Sequence, residues 1–274
     1  MKTLGYAYFA SKLEFLCFSI NISLFFSKIH LLANLKLLAH CEIALFLKVC
    51  YTKLVNLVKG GNTMSSVTAR INEIKQPRGG YIKPSAFITT SFNDGNILSE
   101  QENIHASIIG MAVDYLTRFM SGADLLDSFK ISLLGVKAAT SFGNKSTLKV
   151  AEKLLKGIKG LDNDSIINAC KLVTFDVWYR NPMNAVMAKD YSATNPDKET
   201  INNIKIMVKR SLAFWDKYGP ITVDGFTFET DGYTEIVNSG DGDYLTADTL
   251  WDFKVSKSKP TNKHTLQLLM YWIM

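Results

Sequence analysis

After residue 63 the chain has a single cysteine, Cys170. One thiol forms neither a disulfide framework nor a paired metal-thiolate site, and its place in an apolar periodic stretch marks it as core. A reducing cytoplasm is the compartment this implies. An excess of one charge is missing too: residues 64–274 hold 24 basic and 23 acidic side chains, so the +6 of the whole sequence is no argument for a nucleic-acid partner. Nor is there a repeat, a G-x-G-x-x-G, a P-loop or a Ser/His/Asp arrangement to promote a nucleotide-binding protein or a serine hydrolase. With 47% hydrophobic and 20% charged residues, what remains is a folded chain of one or two domains.

The first 63 residues differ from the rest. They contain seven lysines, two glutamates, no aspartate, no proline and three of the four cysteines. Their longest uncharged run, residues 15–27, falls short of the roughly 20 residues a spanning helix needs, so no stable membrane association is expected. Lys59-Gly60-Gly61 can be encoded by AAAGGAGGT, a bacterial ribosome-binding sequence, shortly before Met64. We therefore expect Met64 to be the native start and residues 1–63 to be a leader that is not natively translated, with a membrane-associated leader and a helical subdomain as the alternatives. The N-terminal mass of the natural protein distinguishes them.

From Met64 the chain opens irregularly through Pro77, Gly79, Gly80 and Pro84. Ser99 with Glu102 forms a capping-box pattern, and Ile104, Ile108, Ala112, Tyr115 and Phe119 make one apolar stripe that Gly122 closes, which predicts a helix from Ser99. Residues 123–219 read as a helical insertion. Its last helix has Asn195 as N-cap, Pro196 at the first position, a stripe of Ile201, Ile204, Val208, Leu212 and Trp215, and a Gly219-Pro220 stop. Beyond Pro220 the period falls from 3.6 to 2. Asp224-Gly225 sits between alternating runs and predicts a hairpin, with a second Asp-Gly at 231–232. Strands over 243–246 and 249–255, a basic loop and an apolar helix follow. The order helix, helical insertion, antiparallel meander, helix defines an α/β or α+β chain.

In residues 249–255, Asp252 and Lys254 share a face with Leu250, while Trp251, Phe253 and Val255 take the other. A symmetric two- or four-residue loop centred on Ala247-Asp248 places Asp243 opposite Asp252, with Cβ atoms about 4.5–5.5 Å apart. Two like charges that close call for a divalent cation between them, and oxygen ligands suit Mg²⁺ or Mn²⁺. Downstream, Ser256, Lys257, Lys259 and Lys263 crowd one loop where phosphates would be held by charge and hydroxyl contact, although such loops are commonly just solvated. Gln267 and Tyr271 share a helix face at i, i+4.

Together, Gly240-Asp241-Gly242-Asp243, Asp252-Phe253-Lys254 and Gln267-x-x-x-Tyr271 resemble the PD-(D/E)XK nuclease superfamily, and within it the RecB-type exonuclease branch. No proline precedes Asp243, which that branch also commonly lacks. The resemblance spans residues 221–274 and implies a restriction-endonuclease-like core within domain 64–274, its catalytic strands and helix over 220–274. That core normally continues to another strand, so we expect the sequence to be C-terminally truncated. It also implies a Mg²⁺- or Mn²⁺-dependent nuclease acting on DNA, single-stranded or at ends, in recombination, repair or defence, with a helicase or recombination partner. Asp243 and Asp252 would bind metal together with His105 from the leading helix, Glu102 being the substitute. The carbonyl of Phe253 would complete the shell, Lys254 would position or activate the nucleophile, and Gln267 and Tyr271 would orient the strand end or substrate. The alternative is a non-catalytic nucleic-acid-binding module on the same fold.

Overall fold

The structure is a computed structural model, and it describes residues 3–9, 15–20, 65–92, 94–143, 146–228, 232–234, 236–256 and 258–274. It is a mixed α/β fold around a six-stranded sheet. The strands are β1 (Thr3–Phe9), β2 (Phe15–Ile20), β4 (Ile88–Phe92), β5 (Val223–Thr227), β7 (Asp241–Leu245) and β8 (Thr249–Val255), in the order β4-β2-β1-β8-β7-β5. β1 runs parallel to β8, and every other pairing in this sheet is antiparallel. A short parallel pair joins β3 (Ser65–Ser66) to β6 (Val237–Ser239).

The helices are α1 (Val67–Glu73), α2 (Ala106–Met120), α3 (Leu125–Ser128), α4 (Lys130–Ser141), α5 (Thr147–Lys156), α6 (Asn163–Leu172), α7 (Asp176–Arg180), α8 (Pro182–Ala185), α9 (Lys198–Tyr218) and α10 (Asn262–Ile273). Among the described residues no helix is long and apolar enough to cross a membrane.

Strand alternation in β8 sorts the core into two layers. Trp251, Phe253 and Val255 belong with Tyr244 to a cluster built from α2, α4, α6 and α9, whereas Leu250 joins Val67, Ile71, Leu266, Leu268 and Tyr271 of α1 and α10. Burying each such aliphatic or Phe side chain contributes roughly 1.5–3 kcal/mol. The strands are pinned to α9 by aromatic contacts: Trp251 meets Phe214 edge-on at 5.1 Å, and Trp215 lies 4.8 Å from Tyr244. Each pair of this kind adds about 0.5–1.5 kcal/mol beyond area burial.

Inside the helical lobe, buried Asp176 accepts from Tyr115 Oη at 2.5 Å and Ser132 Oγ at 2.6 Å, tying α7 to α2 and α4. Burial pushes its carboxyl pKa up, against the two hydroxyl bonds that lower it. Gly135 lets α4 approach the turn before α7, because a Cβ there would collide with the Phe175 carbonyl. Gly135→Ala is accordingly expected to cost about 1–3 kcal/mol by urea unfolding; an unchanged midpoint would mean that this contact is not tight. Cys170 is fully buried, and burial raises its thiol to about 12, leaving it an unreactive core side chain.

Several expectations are corrected. The helix expected from Ser99 is α2, which begins at Ala106, because buried Asn203 bonds the backbone of Ser99 (2.8 and 2.9 Å) and Glu102 Oε1 (3.0 Å) and holds residues 99–103 as a strap against α9. The N-cap of α9 is Asp197, not Asn195; its carboxylate accepts from Thr200 N at 2.8 Å. Asp224-Gly225 is no hairpin turn. β5 runs straight through it in one register against β7, and Gly225 takes φ 60° within the strand while Arg118 captures the Asp224 carboxylate. Thr3–Phe9 and Phe15–Ile20 are strands, where the subdomain alternative was helical. The remainder of 1–63, Asp231 and Lys257 lie outside the described residues.

Candidate active site

The β7–β8 turn fixes the site. Thr246 N donates to Thr249 O at 2.9 Å, leaving Ala247-Asp248 as a two-residue loop, and Asp248 Oδ1 accepts from Thr249 Oγ1 at 2.9 Å. Trp251 Nε1 locks the base by donating to Thr246 Oγ1 at 3.1 Å. The ladder pairs Leu245 with Leu250 and Tyr244 with Trp251, and the next step of that register sets Asp243 across from Asp252. There the pairing gives way, and Phe253 N donates to the Asp243 side chain (Oδ2, 2.7 Å).

Asp252 is 1% exposed, and one of its oxygens, Oδ1, receives the Lys254 ammonium at 2.6 Å. Its other oxygen, Oδ2, is buried and has no hydrogen-bond partner among the described residues. Lys254 Nζ also lies 3.6 Å from Asp243 Oδ2 and 3.3 Å from the Phe253 carbonyl, so one cation spans both carboxylates. Burial raises the pKa of Asp243 to about 7, with the Lys254 charge opposing and the Asp252 charge reinforcing the shift. Asp252 is raised as well, chiefly by burial, and Asp243 is near enough that a proton held between the two carboxyls would bond them. Two acids that can be satisfied only by a shared proton or a cation form a charged, convergent pair.

α10 closes the same face. Thr261 and His264 form its capping box, and burial together with the Lys254 charge lowers the His264 pKa, so His264 is a neutral cap. Gln267 Nε2 donates to Tyr271 Oη at 3.0 Å; burial, then the nearby Asp252 and Asp243 charges, raise the Tyr271 pKa despite that bond. Gly240 threads a gap in which a Cβ would lie 2.7 Å from Val67 Cγ2 and 3.6 Å from the Tyr271 ring. Four of the residues expected to act, Asp243, Asp252, Lys254 and Tyr271, therefore sense one another's charge, and Gln267 bonds the last of them.

The other expected residues are elsewhere. His105 is exposed at the N-cap of α2, where Nδ1 accepts from Ser107 N at 3.2 Å; among the described residues no three His, Cys, Asp or Glu side chains gather as a metal set. Its ring serves helix capping instead, and His105 does not join Asp243 and Asp252. Glu102 is bound to Asn203. In the basic loop Ser256 Oγ accepts from Ser258 N at 3.1 Å, Lys259 is exposed, and Lys263 Nζ donates to Asn72 Oδ1 at 2.7 Å.

Behind β7 stands a second charged group that sequence reasoning missed. Asp114 of α2 accepts from Tyr244 Oη at 2.6 Å and Arg118 Nε at 3.1 Å; Arg118 lies 4.7 Å over the Tyr244 ring and pairs with Asp224. Burial opposes the Arg118 charge, but Asp114, Tyr244 and Asp224 outweigh it and raise its pKa. The signal in the sequence was an Asp and an Arg four apart at the rim of an apolar stripe. This clamp orients the strand that carries Asp243. Tyr244→Phe is expected to cost about 1–2 kcal/mol by denaturant titration, because it strips a bond from a part-buried carboxylate; no loss would show that the clamp is slack.

No family model, curated protein or solved structure matches the chain.

Proposed function

We propose that the chain is a metal-dependent nuclease that hydrolyses phosphodiester bonds of DNA on a restriction-endonuclease-like core, with an exonuclease-like role in recombination, repair or defence in the cytoplasm. The observation that carries this reading is the buried, unpartnered Oδ2 of Asp252 beside Asp243. An orphaned carboxylate oxygen costs stability unless something positive meets it. The order α2, antiparallel β5-β7-β8, α10 supports the same reading.

The donor set fits Mg²⁺ or Mn²⁺. Both are hard, oxygen-seeking ions, and Mg²⁺ is commonly held by one or two carboxylates with substrate phosphates completing its shell, so a third protein ligand is not required. Asp243 and Asp252 would hold the ion. When bound, it would polarise the phosphoryl group and acidify water. The chain's own contribution is positional. Phe253 N fixes Asp243, Lys254 bonds Asp252 and presents its ammonium where a nucleophile or phosphate oxygen would be steadied, and Gln267 with Tyr271 orients the adjoining wall.

The test is incubation of the purified chain with end-labelled DNA in Mg²⁺, in Mn²⁺ and in chelator. Cleavage in either ion and none in chelator is expected. Binding without cleavage in both ions would replace this reading with the non-catalytic nucleic-acid-binding module.

A further inference from the structure

Positive charge in residues 64–274 is concentrated in two stretches far apart in sequence. Residues 67–92 carry four Lys and Arg against one Glu, and residues 256–274 carry three Lys and no acid. The intervening 93–255 carry seventeen Lys and Arg against twenty-two Asp and Glu. The single acid of the first stretch, Glu73, is paired with Arg70 at 2.7 Å, so Lys75, Arg78 and Lys83 are not balanced from within it.

The fold brings the two stretches together. Gly240 lies between Val67, at the start of α1, and Tyr271, near the end of α10, while Lys263 Nζ in the first turn of α10 donates to Asn72 Oδ1 near the end of α1 at 2.7 Å. The two helices therefore run antiparallel, and the chain leaving α1 wraps the N-terminal end of α10. A Cβ on Gly80 would lie 2.7 Å from the Cβ of Asn262, the first residue of α10, and the Ile82 carbonyl accepts from Thr265 Oγ1 at 2.7 Å. Gly79 takes φ 88°, and a Cβ there would lie 3.5 Å from Lys83 Cγ, so the Lys83 stem folds back beside Arg78. Arg78 and Lys83 thus share one end of α10 with Lys259 and Lys263, and all four are exposed. This end adjoins the candidate active site: His264 is near enough to Lys254 to sense its charge, and residues 256–261 alone connect β8 to the helix.

The character of the surface selects its occupant. Among the described residues of 75–83 and 258–264 no large apolar side chain is exposed, and Tyr81 and Ile82 pack against the core instead. A protein partner is commonly anchored by aromatic or other apolar side chains at the centre of the interface, and a membrane-inserting face presents apolar residues to the acyl chains. Clustered Arg and Lys without an apolar centre match a sugar-phosphate backbone, which is held by charge and not read for sequence.

We propose that the chain leaving α1, through Arg78 and Lys83, joins Lys259 and Lys263 in a phosphate track over the N-terminal end of α10 that holds the nucleic-acid backbone beside the reacting phosphate. Residues 75–83 lie outside the stretch that resembles the nuclease superfamily. The proposal rests on the nuclease reading for its substrate and adds the surface that retains it.

The experiment is fluorescence anisotropy of a labelled DNA duplex of about 20 base pairs with a single-stranded overhang, titrated with the full chain in chelator, where cleavage plays no part. Wild type should bind with an affinity that falls steeply with salt. The double variant Arg78→Gln, Lys83→Gln should bind at least about tenfold more weakly in low salt, with a log-log salt slope shallower by about 1.4–1.8, because two phosphate contacts are lost. Both side chains are exposed, so the fold is expected to survive, and circular dichroism checks it. Lys149→Gln, Lys153→Gln on α5 makes the same change in net charge at exposed positions and should leave binding near wild type. Equal binding by wild type and the Arg78, Lys83 variant, an equal loss in the α5 variant, or capture by phosphatidylserine vesicles without DNA binding would each overturn the proposal. The two readings fail differently. DNA binding that the Arg78, Lys83 variant weakens, with no cleavage in Mg²⁺ or Mn²⁺, removes the nuclease and leaves the track; metal-dependent cleavage whose KM the variant does not raise removes the track and leaves the nuclease.

Discussion

Replacing Asp252 or Lys254 by alanine is expected to lower metal-dependent DNA cleavage by at least about 10³-fold, with circular dichroism still reporting a folded chain. The size follows from the contacts. Asp252 supplies a buried oxygen that is unpartnered among the described residues, and Lys254 supplies an ammonium that reaches both Asp252 and Asp243, so either change removes charge at the point where the phosphate would react. Alanine at 254 also strands a buried carboxylate, which ordinarily costs about 3–5 kcal/mol, but here Asp252 can take up a proton instead because its pKa is already raised. The two positions act as a unit, so the double variant should be scarcely worse than either single one. Gln267→Ala, which removes the bond to Tyr271 rather than one to a carboxylate, should lose about ten- to a hundredfold. Retention of more than a tenth of wild-type cleavage by Asp252→Ala would refute the assignment of these strands as the catalytic centre.

What made the site legible was period and turn length. An alternating heptad around Asp252 and Lys254, with room for a symmetric loop at Ala247-Asp248, fixes both the face and the register, and the structure keeps both: Leu250 packs with α10, Trp251 and Phe253 pack with α9, and Tyr244 pairs with Trp251. Capping chemistry was read less well, since competing tertiary bonds decide it. Ser99 and Glu102 carry the letters of a capping box, yet Asn203, a hundred residues away, claims both, and the cap falls to His105. That same capping role occupies the His105 ring, which among the described residues does not gather with Asp243 and Asp252. Asp224-Gly225 failed as a turn because its strand gains a ladder with β7 and an ion pair to Arg118 that no local rule contains. The Asp114–Arg118–Tyr244–Asp224 clamp was invisible for the same reason: it unites α2, β5 and β7, and only i, i+4 spacing hinted at it. β1 beside β8 is likewise a long-range pairing, joining Thr3–Phe9 to Thr249–Val255.

Asp252→Asn is expected to raise the stability of the chelator-treated protein near pH 8 by on the order of 2 kcal/mol while abolishing its stabilisation by Mn²⁺. The direction comes from the raised carboxyl pKa values. A carboxyl group with a folded-state pKa above its unfolded value of 3.8 binds more protons folded than unfolded, so its contribution is full below about pH 4 and disappears as pH rises through the folded value, about 7 for Asp243. Metal-free wild type should therefore lose stability between about pH 4 and 7, and about a quarter of the Asp243 side chain remains open to solvent, which limits the loss. Asparagine at 252 keeps an oxygen for Lys254 and brings an amide to face Asp243, so the burial of one ionised carboxylate, the chief cause of the loss, and its repulsion of Asp243 are both gone. In the wild type a bound divalent ion removes the same repulsion and, at about a hundred times its dissociation constant, adds about 2.7 kcal/mol. The melting temperatures should cross: the variant higher in chelator, the wild type higher in Mn²⁺. Because the ion displaces the proton, Mn²⁺ affinity of the wild type should also rise from about pH 5 to 8, with proton release visible by calorimetry in buffers of different ionisation enthalpy. A variant that melts below wild type in chelator near pH 8 would mean that Asp243, Asp252 and Lys254 form an ordinary stabilising ion network, and the metal assignment would fall with it.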